Sequence, residues 1–365
     1  MTDEKLPEVD ELDPLIPKIK TQQILVESKE LSGKQYLGFP CLIRVSDSEI
    51  LISFKRGTDH GSDGEADLEL VRFDTVANRV IEQTTLAHQD RRIMQMGEWV
   101  RFSNGDIANY IDVQLTGIKK LSYRTGILGC RSRDGGTTFS GLIPLGVVDG
   151  VEYGYAFDHV TEDGTTYMLV MTFEYLAGQR GSVDVIKTED HGSTWRFVKN
   201  LSLEFGDIRI NESTFVRWGD KFLISTRGYD AVERLHVTDS DFNLIEQVNL
   251  TEVHPFIGKE IGRPRLFERD GHFYLMGRNC PVRADEQRVM QQALFRIDPA
   301  DLTITSYVIL DNHEEGLVID GYYPVPYWQE DERGTLFNVI DYKSVVSRFP
   351  GPNIVRSEFH WDEVR

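Results

Sequence analysis

Two eight-residue stretches of this sequence, 132–139 and 188–195, share one pattern. Each reads Ser/Thr-x-Asp-x-Gly-x-Thr followed by an aromatic residue, and their first residues lie 56 positions apart. The pattern is typical of a tight β-turn, because Asp accepts backbone N–H bonds, Gly adopts positive φ and Thr adds a local hydrogen bond. Two such turns at one spacing indicate an internal repeat, which constrains the fold of the whole chain.

The repeat extends well beyond the turns. Six segments each contain two apolar strands around a polar hairpin: 41–57, 98–114, 157–175, 213–228, 265–279 and 325–342. A third strand follows each hairpin, and in the second and third copies it runs into the Asp-containing turn. Later copies carry degenerate turns at 238–241 and 297–301, and a fourth strand ends the unit. Six units of four antiparallel strands, at a period of about 50–60 residues, predict an all-β, six-bladed β-propeller.

We expect residues 22–365 to form one propeller domain, because no Pro/Ser-rich linker divides them. Residues 1–21 are acidic and interrupted by prolines, and we expect them to form an N-terminal arm. The chain has 59 Asp and Glu residues against 40 Lys and Arg residues, a net charge of −19. This charge argues against binding to a nucleic-acid backbone, which needs a basic surface.

The N-terminus has no basic segment followed by an apolar one, so we expect no signal peptide. No apolar run is long enough to span a bilayer. The three cysteines, Cys41, Cys130 and Cys280, lie far apart without the spacing of metal ligands, which favours free thiols in a reducing compartment. We therefore expect a cytoplasmic protein with no membrane partner. The oligomeric state stays open.

Charged and aromatic residues recur at matching positions of the repeat. In different copies of the repeat, the position just before or at the start of the first strand is occupied by Phe39, Glu212, Arg263 or Tyr323. The end of the second strand is occupied by Arg56, Arg227 or Arg278. Arg265 follows Arg263 at a spacing of two, which places both on one strand face. Most neighbouring strand positions are apolar, so charged residues at these places need partners or a ligand. In a propeller the innermost strand of each blade lines a central channel. We expect these side chains to gather at one mouth of that channel.

Those residue types suit glycoside chemistry. Several converging arginines would form a receptor for a carboxylate or phosphate. Glu212 beside Tyr323 would be a base for the phenol, and a tyrosinate is a usable nucleophile. The loop GTDHGSDG after Arg56 supplies Asp59, His60 and Asp63 for acid–base catalysis. Structural roles stay open as alternatives. Glu212 and Arg227 could form a buried ion pair that stabilises blade four, and Asp63 could be an ordinary turn residue.

With these motifs the sequence resembles the sialidase (neuraminidase) superfamily, six-bladed propellers that carry Asp-boxes (BNR repeats). In that resemblance the turns 132–139 and 188–195 are the Asp-boxes, with a structural role. Arg56 and Asp63 follow the family order of blade one, where the Asp is the acid/base. Glu212 and Arg227 match blade four, and Arg288 fits the third arginine of the carboxylate-binding triad. Tyr323, with Tyr322 as the adjacent alternative, matches the nucleophile, since sialidases use Tyr in place of a carboxylate.

The sequence departs from the family pattern at Gly38. The family places an arginine of an Arg-Ile-Pro motif two residues before the position of Pro40, and Gly38 stands there. Arg263, Arg265 or Arg278 could replace that charge from across the channel mouth.

The resemblance implies a hydrolase, specifically a retaining exo-glycosidase in carbohydrate metabolism that removes a terminal acidic sugar and needs no metal or organic cofactor. Two alternatives stay open. One is a propeller hydrolase or lyase on another uronic-type glycan, with His60 and Tyr323 as the proton-transfer pair. The other is a non-enzymatic propeller that binds glycans.

Overall fold

The computed structural model describes residues 12–116, 122–172, 182–281, 289–312, 318–332, 334–345 and 351–365. Their strands form six antiparallel sheets arranged as the blades of a propeller. The first strand, β1 (Thr21–Val26), belongs to the last blade. Blade one contains β2 to β5 (Tyr36–Ser46, Glu49–Gly57, Asp67–Asp74, Arg79–Ala87), and blade two contains β6 to β9 (Ile93–Arg101, Ile107–Thr116, Ser122–Ser132, Ile143–Pro144).

The other blades repeat this order. Blade three contains β10 to β14 (Val147–Val148, Val151–Glu162, Thr165–Thr172, Val183–Thr188, Arg196–Asn200). Blade four contains β15 to β18 (Ile210–Trp218, Lys221–Gly228, Glu233–Thr238, Leu244–Asn249). Blade five contains β19 to β22 (Gly262–Arg269, His272–Asn279, Gln291–Asp298, Thr303–Asp311). Blade six contains β23 to β26 (Val318–Gly321, Val325–Asp331, Gly334–Val345, Asn353–His360) together with β1. The predicted six-bladed β-propeller is confirmed.

The N-terminal part of the chain closes the ring. Strand β1 pairs antiparallel with β26, with Thr21 opposite Glu358, and so becomes the outermost strand of blade six. Before β1, Leu15 forms two backbone hydrogen bonds with β22 of blade five. The described part of the predicted arm therefore lies along the outer edges of the last two blades. The boundary between arm and domain stays a prediction.

Helices are short in the described residues. Two α-helices, α1 (Leu201–Glu204) and α2 (Leu250–Val253), follow the fourth strands of blades three and four. Asn200 and Asn249 cap them, each accepting a backbone N–H bond with its side chain. Single 3₁₀ turns cover Ser28–Glu30 and Trp361–Glu363. None of the described helices has the length and apolar character needed to cross a membrane.

The Asp-containing turns have one hydrogen-bond pattern. In blade two, Asp134 accepts bonds from Thr138 N at 2.9 Å and Thr138 Oγ1 at 2.6 Å. In blade three, Asp190 accepts the same two bonds from Thr194 at 2.8 Å and 2.7 Å. These hydrogen bonds lower the pKa of both carboxyls to about 2. The largest contribution comes from the Thr138 hydroxyl for Asp134 and from the Thr194 backbone N–H for Asp190. These turns connect third and fourth strands, on the outer side of the blades.

Blade four keeps the same carboxylate contact although its sequence has lost the pattern. Asp239 accepts bonds from the backbone N and the side-chain Nδ2 of Asn243, both at 2.8 Å. The side-chain amide of Asn243 donates the hydrogen bond that the threonine hydroxyl donates in the other two turns. Trp195, the aromatic residue of the blade-three turn, packs edge-on against Tyr110 of blade two, so the turns also fasten neighbouring blades.

Candidate active site

Three inner strands are irregular at the same place, at one end of the channel. Strand pairing is interrupted between Gly38 and Cys41 in β2, between Ile210 and Ser213 in β15, and between Gly262 and Arg265 in β19. These interruptions contain Phe39, Glu212 and Arg263, three residues that the repeat alignment placed together. Phe39 and Arg263 have positive φ, 57° and 48°. Bulges of this kind turn a side chain away from its regular direction, here toward the channel end.

Arg227 connects a carboxylate and a phenol at this end. Its Nη1 donates to Glu212 Oε2 at 2.6 Å and lies 3.4 Å from Tyr323 Oη. Its Nη2 lies 3.3 Å from Glu260 Oε1. The side chain of Arg227 is 21% exposed, so the guanidinium is within reach of a ligand. The structure thus brings together Glu212, Arg227 and Tyr323, which were predicted from two different repeats, those of blades four and six.

Glu212 is held as a carboxylate by several donors. Oε1 accepts a hydrogen bond from Tyr155 Oη at 3.0 Å, and Oε2 also accepts one from the backbone N of Arg263 at 3.1 Å. Burial of Glu212 opposes its ionisation, yet the charges of Arg227 and Arg263 outweigh burial and lower its pKa to about 2. Glu212 is therefore a stable anion, and a weak base at rest, that fixes Arg227 and the backbone of β19.

Tyr323 lies between two guanidinium groups. Arg278 stacks on its ring, with Cζ 4.9 Å from the ring centre, while Arg227 contacts its hydroxyl. The backbone N of Tyr323 donates to Asp341 Oδ1 at 2.8 Å, which anchors the residue to β25. Tyr323 is 6% exposed. Among the described residues, Arg278 has no carboxylate partner, and its Nη1 donates to the Gly321 carbonyl at 3.3 Å.

Arg263 and Arg265 share one strand face, as their spacing predicts, but both are buried against the same carboxylate. Glu98 accepts from Arg263 Nη2 at 2.5 Å and from Arg265 Nη1 and Nη2 at 3.1 Å and 2.9 Å. Arg263 Nη1 also lies 3.4 Å from Tyr155 Oη. These two arginines are engaged inside the channel, so they do not offer a free guanidinium to a substrate carboxylate.

The residues predicted from the end of β3 and the loop after it lie in two different places. Asp63 is completely buried and forms an ion pair with Lys55, Nζ to Oδ2 2.5 Å. Its Oδ1 accepts bonds from the backbone N–H groups of Thr58 and Asp59. Arg56 points to the chain before β2, where it donates to the carbonyls of Lys34 and Ser32. Neither Asp63 nor Arg56 faces the channel end.

Asp59 and His60 line a cleft together with Arg278, the guanidinium that stacks on Tyr323. The cleft has a volume of about 700 Å³, and its walls include Asp59, His60, Glu260, Gly262, Arg278 and Asp320. The side chain of His60 is 46% exposed. Its Nδ1 lies 3.2 Å from Asp320 Oδ2 and 3.0 Å from Tyr36 Oη. The cleft therefore joins a solvent-accessible imidazole to the guanidinium that covers Tyr323.

One predicted residue, Tyr322, does not join this group. Tyr322 is buried and donates its hydroxyl to Asp311 Oδ2 at 3.0 Å, away from Arg227. Arg288 lies outside the described residues, so its predicted contact with a carboxylate stays a prediction. Of the two adjacent tyrosines, Tyr323 is the one in contact with the arginines.

Aromatic residues fill the place that the family pattern assigns to an arginine. The ring of Phe39 contacts those of His60, Tyr323 and Tyr342, with centroids 5.0 Å, 5.4 Å and 5.3 Å away. A Cβ at Gly38 would lie 2.9 Å from Cε1 of Tyr36, closer than packed side chains allow. An arginine at position 38 would therefore require this aromatic cluster to rearrange.

The repeat alignment places Tyr155 of blade three, and Gly97 or Glu98 of blade two, at the matching position but assigns them no role, whereas sequence reasoning missed Glu260 and Asp320. One signal was available for Glu98, since two arginines at a spacing of two in an apolar strand require a nearby carboxylate. Glu260 lies in the segment that connects α2 to β19, and Asp320 lies on the short strand β23. No local pattern identifies them.

Within the part of the chain that the structure describes, two groups of side chains have the spacing of metal ligands. Glu98, Asp158 and His159 lie within 4.8 Å of one another, as do Glu65, Asp67 and His88. Glu98 is already paired with Arg263 and Arg265, and Lys34 Nζ binds both Glu65 and Asp67 at 3.0 Å and 2.9 Å. Protein cations thus occupy both places, and neither group suits a metal ion.

No protein-family profile matches the sequence, and no curated protein matches it. Solved structures do match the fold. A protein of unknown function from Dyadobacter fermentans aligns over 95% of this chain and 99% of its own, with a TM-score of 0.72 and 14% identity. The NanB sialidase from Streptococcus pneumoniae aligns over 97% of this chain and 71% of its own, with a TM-score of 0.63 and 10% identity.

Trypanosoma rangeli sialidase, solved in complex with sialic acid, aligns over 98% of this chain and 59% of its own, with a TM-score of 0.57 and 9% identity. At such low identity these likenesses concern the fold. This chain shares the six-bladed propeller fold of those two sialidases.

Proposed function

We propose that this protein is a retaining exo-glycosidase that removes a terminal acidic sugar from a glycoconjugate or an oligosaccharide. The observation that carries the proposal is the position of Arg227 Nη1, 2.6 Å from Glu212 Oε2 and 3.4 Å from Tyr323 Oη. A phenol between two guanidinium groups suits a nucleophile, because negative charge that forms on its oxygen is stabilised in place. The resemblance to sialidases, which use a tyrosine nucleophile, supports the same role.

In the proposed reaction, Tyr323 Oη attacks the anomeric carbon and the bond to the leaving oxygen breaks. The phenolic proton passes to Glu212, the carboxylate on the other side of Arg227 Nη1. Water then attacks the glycosyl–tyrosine intermediate, and the phenolate takes its proton back from Glu212. Because Glu212 has a pKa of about 2, it returns this proton readily. Two displacements at one carbon retain the anomeric configuration.

An acidic sugar suits the charges at the cleft. Among the described residues, Arg278 has no carboxylate partner, and Arg227 is partly exposed beside it. Guanidinium groups bind carboxylates through paired hydrogen bonds. A neutral phenol does not repel an anionic sugar before the attack, as a carboxylate nucleophile would. The proposal therefore assigns the substrate carboxylate to Arg278 and Arg227.

The test compares Tyr323→Phe with Tyr322→Phe on a panel of fluorogenic glycosides that includes a sialoside, uronides and neutral sugars. We expect the wild type to release the fluorophore from an acidic glycoside only. Tyr323→Phe should lower kcat by roughly a thousand-fold or more, because the covalent route is lost. Tyr322→Phe is the matched control, since Tyr322 contacts Asp311 instead of the arginines. Full turnover by Tyr323→Phe would exclude the nucleophile assignment.

One observation favours a second candidate, a lyase acting on a uronic-type glycan. Lyase chemistry needs a base that removes a proton beside a carboxylate, and the half-exposed His60 lines the same cleft as Arg278. The product distinguishes the two reactions. A lyase would release an unsaturated sugar that absorbs in the ultraviolet, whereas the glycosidase releases a saturated one. Binding of the glycan without any product would instead indicate a non-enzymatic propeller.

A further inference from the structure

Neither aspartate of the blade-one loop suits the role of the acid in the proposed reaction. Asp63, which family order places in that role, is completely buried against Lys55. Asp59 lines the cleft, but its Oδ1 accepts bonds from Gly61 N at 3.1 Å and Ser62 Oγ at 2.8 Å. Burial raises the pKa of Asp59, yet these hydrogen bonds outweigh burial and lower it. An acid that protonates a leaving oxygen must hold its proton at working pH, and Asp59 does not.

His60 has the position and the exposure that Asp63 lacks. Its ring packs edge-on against Phe39, which also contacts Tyr323, so the imidazole and the phenol share one aromatic neighbour. The backbone oxygen of His60 accepts bonds from Lys55 Nζ at 2.9 Å and from Gln95 Nε2 at 3.1 Å. The residue is thus held at both its backbone and its ring, with nearly half of the side chain open to the cleft.

Asp320 orients the ring. Both of its oxygens lie within 3.3 Å of His60 Nδ1. Asp320 also accepts hydrogen bonds from Tyr36 at 2.7 Å and from Tyr342 at 3.2 Å. Burial of Asp320 opposes its ionisation, but the contacts with His60 and the two tyrosines outweigh burial and lower its pKa. An ionised Asp320 keeps the proton on Nδ1 and leaves Nε2 as the nitrogen that exchanges protons. Among the described residues, Nε2 has no hydrogen-bond partner.

Resting on the proposed function, we propose that His60 is the general acid and base of this site, with Asp320 as its positioning residue. In the first step the imidazolium Nε2–H gives its proton to the glycosidic oxygen as that bond breaks. In the second step the neutral Nε2 takes a proton from the attacking water, which restores the imidazolium. The phenolic proton that leaves toward Glu212 in the first step returns to the phenolate in the second, so the proton count balances over one hydrolysis.

Charged and titratable groups from several strands face His60. Asp320 lies on β23, Tyr36 on β2, Tyr342 on β25 and Lys55 on β3. Asp59 precedes it in the loop, and Arg278 lies across the cleft. Asp320 contacts His60 Nδ1 directly, so replacing its carboxylate removes a negative charge beside that nitrogen. Changing it to Asn should therefore move the pH dependence of the reaction.

The leaving group separates acid catalysis from a structural role. His60→Gln should lower kcat/KM by about 10²–10³-fold on an acidic glycoside with a sugar leaving group, which needs protonation. On the 4-nitrophenyl glycoside, whose leaving group departs without a proton, the loss in the bond-breaking step should be less than tenfold. His88→Gln is the matched control, because His88 is 45% exposed and is held by Asp67 at 2.7 Å outside the cleft.

The pH profile is the second readout. A general acid that must be protonated gives the wild type a loss of activity on the alkaline side of its pH profile, and His60→Gln should lack that limb. Asp320→Asn should shift the alkaline limb of the profile to lower pH, because the imidazolium loses its nearby anion. This variant keeps the proposal testable if His60→Gln does not fold. Equal losses on both leaving groups, with the alkaline limb unchanged, would overturn the proposal. Loss of the proposed function is distinct, because then the wild type itself cleaves no acidic glycoside, or Tyr323→Phe stays active.

Discussion

Lys55 and Asp63 form a completely buried ion pair, with Nζ 2.5 Å from Oδ2. Burial lowers the pKa of Lys55, and the negative charge of Asp63 opposes that shift. Asp63→Asn would leave the Lys55 ammonium buried without its carboxylate. We expect the variant to lose about 3–5 kcal/mol of the free energy of unfolding, the usual cost of breaking a buried pair from one side. Urea denaturation followed by fluorescence measures this loss.

The control for this variant is Asp47→Asn, which removes an exposed carboxylate from the β2–β3 turn of the same blade. It should leave the free energy of unfolding within about 0.5 kcal/mol of the wild type. If Asp63→Asn instead kept full stability and lost only turnover, Asp63 would be part of the reaction and its structural role would be wrong.

Gly38 provides a second prediction, because its neighbours leave no room for a side chain. A Cβ at this position would lie 2.9 Å from Tyr36 Cε1 and 3.6 Å from Tyr342 Cδ2. Tyr36 is itself hydrogen-bonded to Asp320 and His60. We expect Gly38→Ala to cost about 1–3 kcal/mol in overpacking and to displace the His60–Asp320 pair. Thermal denaturation and the histidine NMR signals report the two effects.

The matched control is Gly141→Ala, since a Cβ at Gly141 has no heavy atom within 4 Å. That variant should melt within a degree or two of the wild type. A Gly38→Ala protein with unchanged melting and unchanged histidine signals would show that the aromatic cluster yields easily. In that case packing would not explain the absence of an arginine at this position.

Glu233 supplies a prediction about pH. Burial raises its pKa to about 8, against the hydrogen bonds from Ser225 and the Ile261 backbone and the charge of Arg227. The unfolded chain releases this proton near pH 4.3. Between about pH 4.3 and 8 the folded protein thus holds a proton that the unfolded chain has lost. The contribution of Glu233 to the free energy of unfolding therefore falls as the pH rises through this range.

Glu233→Gln removes this ionisation and keeps the shape of the side chain. We expect the stability of the variant, relative to the wild type, to increase from pH 5 to pH 8 in urea denaturation. Glu246→Gln, an exposed change on the neighbouring strand β18, is the control and should show a constant difference. A Glu233→Gln protein whose difference from the wild type does not change with pH would mean that Glu233 is ionised in the fold.

The propeller could be predicted because its signals are local. In the hairpins at Asp163-Gly164 and Asp270-Gly271, all four residues have positive φ, as two-residue hairpin turns require. The strands on either side end and begin directly at these turns. Each blade therefore has its own turn chemistry in the sequence, and six copies reinforce one another.

Part of the site also followed from the repeat. Glu212, Arg227 and Tyr323 occupy matching places in their blades, and closing the ring brings them into contact. Arg56 and Asp63 also occupy expected places in the chain, but Lys55 holds the blade-one loop in a different path. A lysine inside the apolar strand β3 is a signal for a buried carboxylate partner. The role of Asp320 depends on packing between blades one and six, which no sequence pattern describes.

The most direct test of the central claim is the covalent intermediate on Tyr323. A glycosyl fluoride of an acidic sugar that carries fluorine beside the anomeric carbon should glycosylate the nucleophile quickly and be hydrolysed slowly. We expect intact mass spectrometry to show one added sugar, and peptide mapping to place it on Tyr323, with no adduct on Tyr323→Phe. An adduct on another residue, or steady turnover of acidic glycosides with no trapped adduct, would contradict the account.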